Sequence, residues 1–116
     1  TLLSRKQGAG TMTSSEDVLH IPMVDGLIHE PARLRLLAFL CVLDRADFVF
    51  LLRHSGMSRG NMSVQMTRLS DADLVAVEKT FVDNRPRTTY SITKKGRQAL
   101  TEYKHTMTAI LDSFPD

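Results

Sequence analysis

A chain of 116 residues is long enough for one domain with a real core and too short for two. With 42% hydrophobic and 24% charged residues it sits near the average for globular domains, which argues against wholesale disorder. The single cysteine, Cys41, excludes an intrachain disulfide and a multi-cysteine zinc site, and a net charge of +2 is too small to name a partner.

The amino-terminal run "TLLSRKQGAGTMTSSED" mixes Gly, Ser and Thr with little apolar periodicity, so residues 1–20 are expected to form a flexible arm. They lack the apolar centre of a signal peptide, and no stretch approaches the roughly 18 uninterrupted apolar residues of a membrane span. The expected location is the cytoplasm, with no membrane partner. Order should begin near "IPMVDGLIHEPARLRLLAFLCVLDR". Pro31 suits the first turn of a helix, and Leu34, Leu36, Leu37, Phe39, Leu40, Val42 and Leu43 make that helix apolar almost all round, as a central buried helix should be. Cys41 within this run is expected to behave as a small hydrophobe.

"ADFVFLLRHSG" predicts a helix of about two turns, with Asp47 as N-cap and Gly56 as its stop. In "MSRGNMSVQMTRLSDADLV", Ser58 is the N-cap candidate, and Met62, Met66 and Leu69 at i, i+4, i+7 define one apolar face. Two short helices joined by "SGMS" have the dimensions of a helix-turn-helix. Alternation in "LVAVEKTFV" and "RTTYSIT" predicts two strands joined as a hairpin, whose tip holds Asp83, Asn84, Arg85, Pro86 and Arg87. A last helix from about Lys94 to Ser113 places Leu100, Tyr103, Met107, Ile110 and Phe114 at spacings of 3, 4, 3 and 4, a heptad stripe suited to a second chain or to its own domain.

Charge concentrates in one region. From Lys79 to Arg97 six basic residues face one acid, Asp83. If Met62, Met66 and Leu69 face inward, a turn of about 100° per residue puts Gly60, Asn61, Val64, Thr67 and Arg68 outward, with Ser63 and Gln65 on the flanks. Asn61 and Gln65 carry the donor and acceptor that match adenine, Arg59 and Arg68 can grip guanine or phosphate, and Val64 can touch a thymine methyl. The helix start at Ser58 offers backbone N–H groups to a phosphate, and Arg85 and Arg87 beside Pro86 present two cations to a backbone or a minor groove. A solvated turn would also favour Asp, Asn and Pro at such a tip.

The order of elements is that of a winged helix-turn-helix, mainly α with a small β-hairpin (an α+β fold). "GLIHEPARLRLLAFL", "GNMSVQMTRL" and "VEKTFVDNRPRTTYSITKKGRQAL" resemble the winged-helix transcriptional regulators of the MarR/ArsR type, in particular a small bacterial and archaeal group whose wing is a variant of "VEKTFVGRKPRTTYRLTEKG". The resemblance covers roughly Gly26 to Leu111 and implies a regulator that binds double-stranded DNA as a homodimer. Its expected DNA contacts are Ser58, Arg59, Gly60, Asn61, Ser63, Val64, Gln65, Thr67, Arg68, Asn84, Arg85, Arg87 and Thr88. One departure is Asp73, where the family pattern has Gly at the end of the recognition helix; Asp tolerates the left-handed conformation.

The expected organisation is an arm over 1–20, a DNA-binding domain over 21–93 and a dimerisation helix over 94–116. Leu27, Ile28, Leu100, Tyr103, Met107, Ile110, Leu111 and Phe114 are the expected dimer interface. His20, His29, His54 and His105 lie far apart without metal-ligand spacing, so neither a metal nor a cofactor is expected. No nucleophile motif or phosphate-binding glycine loop suggests an enzyme. The competing reading is a winged helix that docks a protein through the same third helix.

Overall fold

A computed structural model describes residues 20–116, so the expected arm lies almost wholly outside the described residues. The chain divides into two compact units, one over Val24–His105 and another that contains Thr106–Asp116. The described elements are helix α1 (Pro31–Leu43), strand β1 (Arg45–Asp47), helix α2 (Phe48–Ser55), helix α3 (Arg59–Asp71), strands β2 (Val75–Val82) and β3 (Arg85–Ile92), and helix α4 (Lys94–Asp112). This is a winged-helix α+β fold, as the order of elements predicts.

Capping chemistry sets the helix starts. Pro31 occupies the first turn of α1, behind Glu30, whose carboxylate accepts from the Arg33 N–H at 2.8 Å. Asp47 caps α2 by accepting from the Phe50 N–H at 2.7 Å, and Gly56 ends that helix in the left-handed region at φ 75. Ser58 caps α3 by accepting from the Asn61 N–H at 3.1 Å. Ser58→Ala is therefore expected to cost about 1 kcal/mol, read as a lower midpoint in urea denaturation; an unchanged midpoint would show that solvent caps the helix equally well. Beyond the last turn of α3, Asp73 takes φ 62, so the residue standing in place of the family's glycine does adopt the left-handed turn.

The core gathers one face from each of the first three helices: Leu36, Leu37 and Leu40 from α1, Leu51 from α2, and Met62, Met66 and Leu69 from α3, closed by Ile28, Leu74, Val75 and Tyr90. Burial pushes the Tyr90 hydroxyl above its ordinary pKa of 10.0. The i, i+4, i+7 face of α3 is buried as its periodicity requires. For α1 the expectation of burial all round needs correction, because Val42 is 83% exposed and Leu43 is also open to solvent. Ile28, expected at a dimer interface, is fully buried in the domain's own core and offers no surface.

The sheet has a third strand that the sequence pattern did not suggest. β1 pairs antiparallel with β3 through Arg45↔Ser91, Ala46↔Tyr90 and Asp47↔Thr89, giving the order β1-β3-β2. β2 and β3 pair along their whole length, from Val75↔Ile92 to Val82↔Arg85. Only Asp83 and Asn84 remain between them, both with positive φ (53 and 62), as a two-residue type I′ hairpin turn demands. Because β1 reaches no further than Thr89, the outer part of β3, including Pro86, has an open edge.

At the root of the wing, Thr93 accepts from the Gly96 N–H at 2.9 Å and donates to the Asp73 carbonyl at 2.6 Å, so one side chain starts α4 and ties it to the end of α3. Arg97 donates to the Asp44 carboxylate and to the Cys41 carbonyl, holding the first turn of α4 to the end of α1. Among the described residues no helix is long and apolar enough to cross a membrane.

Candidate nucleic-acid interface

Helix α3 presents two faces of opposite character. Its inward face is Met62, Met66 and Leu69; its outward face exposes Arg59, Gly60, Asn61, Ser63, Val64, Thr67 and Arg68, with Asp71 the only acid at its far end. Val64 is the one large apolar side chain exposed on this helix, at 50%. Gln65, expected on the flank of this face, is half-buried: its Oε1 accepts from Arg33 Nη1 at 2.7 Å and its Nε2 donates to Asn61 Oδ1 at 3.0 Å. Arg33 carried no signal in the sequence, since its partner lies 32 positions away.

The start of α3 carries no acid in its first turn, and its capping hydroxyl satisfies only the Asn61 N–H. The N–H groups of Arg59 and Gly60 find no acceptor among the described residues. Together with the helix dipole, these donors suit an anion.

The wing supplies the second wall. Arg85, Pro86, Arg87 and Thr88 from β3 face Phe48, Val49, Phe50 and Arg53 from α2 and Arg59 from α3 across an open cleft of about 910 Å³. Four arginines line this cleft against two acids, Asp47 and Asp83. Arg53 is a wall residue that sequence reasoning did not single out; its place in the last turn of α2 only becomes informative once β3 is seen opposite it. Arg87 Nε lies 3.9 Å from Asp47 Oδ2, so part of its charge is met within the chain. Arg59 stacks over Phe48 at 5.3 Å, which holds its guanidinium at the mouth of the cleft without consuming its hydrogen bonds. Arg53, Arg59, Arg68 and Arg85 form no ion pair among the described residues. Of the expected contact residues, the structure therefore brings Arg59, Arg85, Arg87 and Thr88 to one cleft and leaves Asn61, Ser63, Val64, Thr67 and Arg68 along the exposed face of α3. Asn84 sits in the hairpin turn itself.

The expected interface residues separate into two groups. Leu27, Leu100 and Tyr103 are partly buried and pack on the core of their own domain, and the Tyr103 hydroxyl lies 2.9 Å from His29 Nδ1. In the other unit Met107 and Ile110 are half-buried, while Leu111 and Phe114 are 53% and 61% exposed.

Comparison with known proteins gives the same architecture. A family model described as "Winged helix DNA-binding domain" matches residues 32–111. An uncharacterized protein of Methanocaldococcus jannaschii is 27% identical over 77 residues, spanning 66% of this chain and 84% of that relative. The structure of a transcriptional regulator homologue from Pyrococcus horikoshii OT3 superposes with a TM-score of 0.70 at 27% identity, covering 74% of this chain and 85% of the other. A MarR family transcriptional regulator from Silicibacter pomeroyi gives a TM-score of 0.56 at 27% identity, over 66% of this chain and 51% of its own. The helix-turn-helix, the hairpin wing and these matches together establish that the chain belongs to the winged helix DNA-binding domain family, with the fold of MarR-type transcriptional regulators.

Proposed function

We propose that this protein is a sequence-specific transcriptional regulator that binds duplex DNA as a homodimer in the cytoplasm, with α3 in the major groove and the wing on the flanking backbone or minor groove. The observation that carries this reading is the continuity of two surfaces: the polar outer face of α3 runs into a cleft walled by Arg53, Arg59, Arg85 and Arg87. A groove-reading helix needs base-competent side chains, and a neighbouring cationic wall fixes it on the phosphates. In this assignment Asn61, Ser63, Val64, Gln65, Thr67 and Arg68 face base edges or their flanks, while Ser58, Arg59, Gly60, Asn84, Arg85, Arg87 and Thr88 meet the backbone. A protein-docking role through α3 would call for an apolar patch, and Val64 alone does not make one.

The homodimer rests on the carboxyl-terminal stripe. Phe114 ends the 3, 4, 3, 4 stripe and Leu111 lies beside it; both are more than half exposed, and a second copy would remove that apolar surface from water. Met107 and Ile110 would join them. Two-fold symmetry then requires an imperfect palindrome with half-sites about one helical turn apart.

Sedimentation equilibrium combined with fluorescence anisotropy tests both halves. The expected result is a dimer at tens of micromolar and two protomers bound per palindromic duplex, with the operator bound at least about a thousandfold more tightly than random sequence at physiological salt. A monomer that binds all duplexes alike would refute the proposal.

A further inference from the structure

Arg33 has a side chain only 11% exposed, and its hydrogen bonds impose a direction on the recognition helix. Its Nε donates to the Leu27 carbonyl at 2.6 Å and its Nη1 donates to Gln65 Oε1 at 2.7 Å. A guanidinium has donors and no acceptor, so the oxygen end of the Gln65 amide must face it. The nitrogen end then points away and donates to Asn61 Oδ1 at 3.0 Å. That bond orients Asn61 in turn. Its oxygen is engaged inside the chain, its backbone N–H is held by Ser58 Oγ at 3.1 Å, and its Nδ2 finds no acceptor among the described residues.

The relay from Arg33 through Gln65 to Asn61 therefore has a fixed polarity. What this pair of amides leaves free is the Asn61 amide nitrogen and the second N–H of Gln65, both of them donors. We infer that the paired amides of Asn61 and Gln65 present donors alone to the groove and select base edges that offer two acceptors, that is, the O6 and N7 of guanine, with Arg33 as the positioning residue that sets this preference. The inference rests on the proposed reading of DNA by α3. It also revises the expectation that these amides match adenine. Bidentate pairing with adenine needs an amide oxygen for N6–H as well as a nitrogen for N7, and each oxygen is already held within the chain, that of Gln65 by Arg33 and that of Asn61 by Gln65.

The test begins with selection of preferred duplexes from a randomised pool by the full chain. Guanines are expected at the positions under α3, and replacing them with 7-deazaguanine, which lacks N7, should weaken binding about tenfold. Arg33→Met should lose the guanine preference by a similar factor while keeping its affinity for random duplex and its salt dependence, a pattern that general loosening of the fold would not produce. If Arg33→Met does not fold, the base-analogue arm on the unaltered chain decides alone. Selection of adenine at these positions, with a tenfold loss when its N6 amino group is removed, would overturn the inference and leave sequence-specific binding standing. So would an Arg33→Met variant that folds and still prefers guanine. A pool that yields no preferred duplex would overturn sequence-specific reading itself, and the donor-face inference with it.

Discussion

Gly96→Ala should destabilise the protein by about 2–4 kcal/mol, although alanine is the better helix former. A Cβ at position 96 would lie 2.2 Å from the Leu74 carbonyl oxygen, 3.1 Å from its carbon and 2.9 Å from Ile92 Cγ1. The Ile92 side chain could rotate, but the Leu74 backbone cannot retreat cheaply. Its N–H donates to the Leu69 carbonyl at 3.0 Å, its oxygen accepts from the Thr93 N–H at 3.1 Å, and its side chain is buried in the core. Relief of the clash must therefore stretch the junction between α3, β2 and α4 or lift the first turn of α4 away from it. Alanine's propensity gain of about 1 kcal/mol is already counted in the net figure. Against a total stability of the order of 5–15 kcal/mol the loss is large, and the melting temperature should fall by roughly 10 °C or more. Calorimetry that shows a shift of a degree or two would mean that the helix start is far more plastic than so close an approach implies.

The second large effect concerns the wing. Arg85→Ala combined with Arg87→Ala should weaken binding to every duplex by about tenfold or more at physiological salt, and should reduce the slope of log K against log salt by about 0.9 for each phosphate that is no longer neutralised. On a dimer each substitution counts twice. Arg87→Ala alone should be the more damaging single change. Arg87 lies 3.9 Å from Asp47, and its removal leaves an unmatched carboxylate on the wall of the cleft where the DNA backbone would pass. Folding should be nearly untouched, because an ion pair this long and half-exposed contributes at most about 1 kcal/mol. Anisotropy titrations across a salt series supply affinity and slope together. Unchanged values would reduce the wing to an ordinary turn.

Local chemistry made much of the fold legible. Ser58, Asp47 and Gly56 each announce a helix boundary by what their side chain or φ can do, and the structure uses all three in that way. Met62, Met66 and Leu69 betray the buried face of α3 because helical periodicity is a short-range signal. What escaped depends on partners far along the chain. The three residues of β1 have no alternation of their own and become a strand only by meeting Thr89, Tyr90 and Ser91. The apolar run of α1 does not reveal which side will be covered, so the exposure of Val42 could not be read from it. In β2 the alternation is real, but only Val75 is buried, since the remainder of that strand stands clear of the core. At the candidate site, residue types singled out α3 and the wing, whereas the constraint on Gln65 comes from an arginine on another helix.

The open outer edge of β3 has a bearing on solubility. An unpaired strand edge is a template on which other chains can add strands, the first step toward fibrous aggregates. Here β1 protects the inner part of that edge, and the exposed remainder begins with Arg85, Pro86 and Arg87. Pro86 has no N–H to offer an incoming strand, and the flanking charges repel a like copy. Arg85 and Arg87, proposed to meet DNA, would thus serve with Pro86 as gatekeepers, and a wing stripped of all three should be tolerated by the fold yet should render concentrated protein prone to irreversible precipitation.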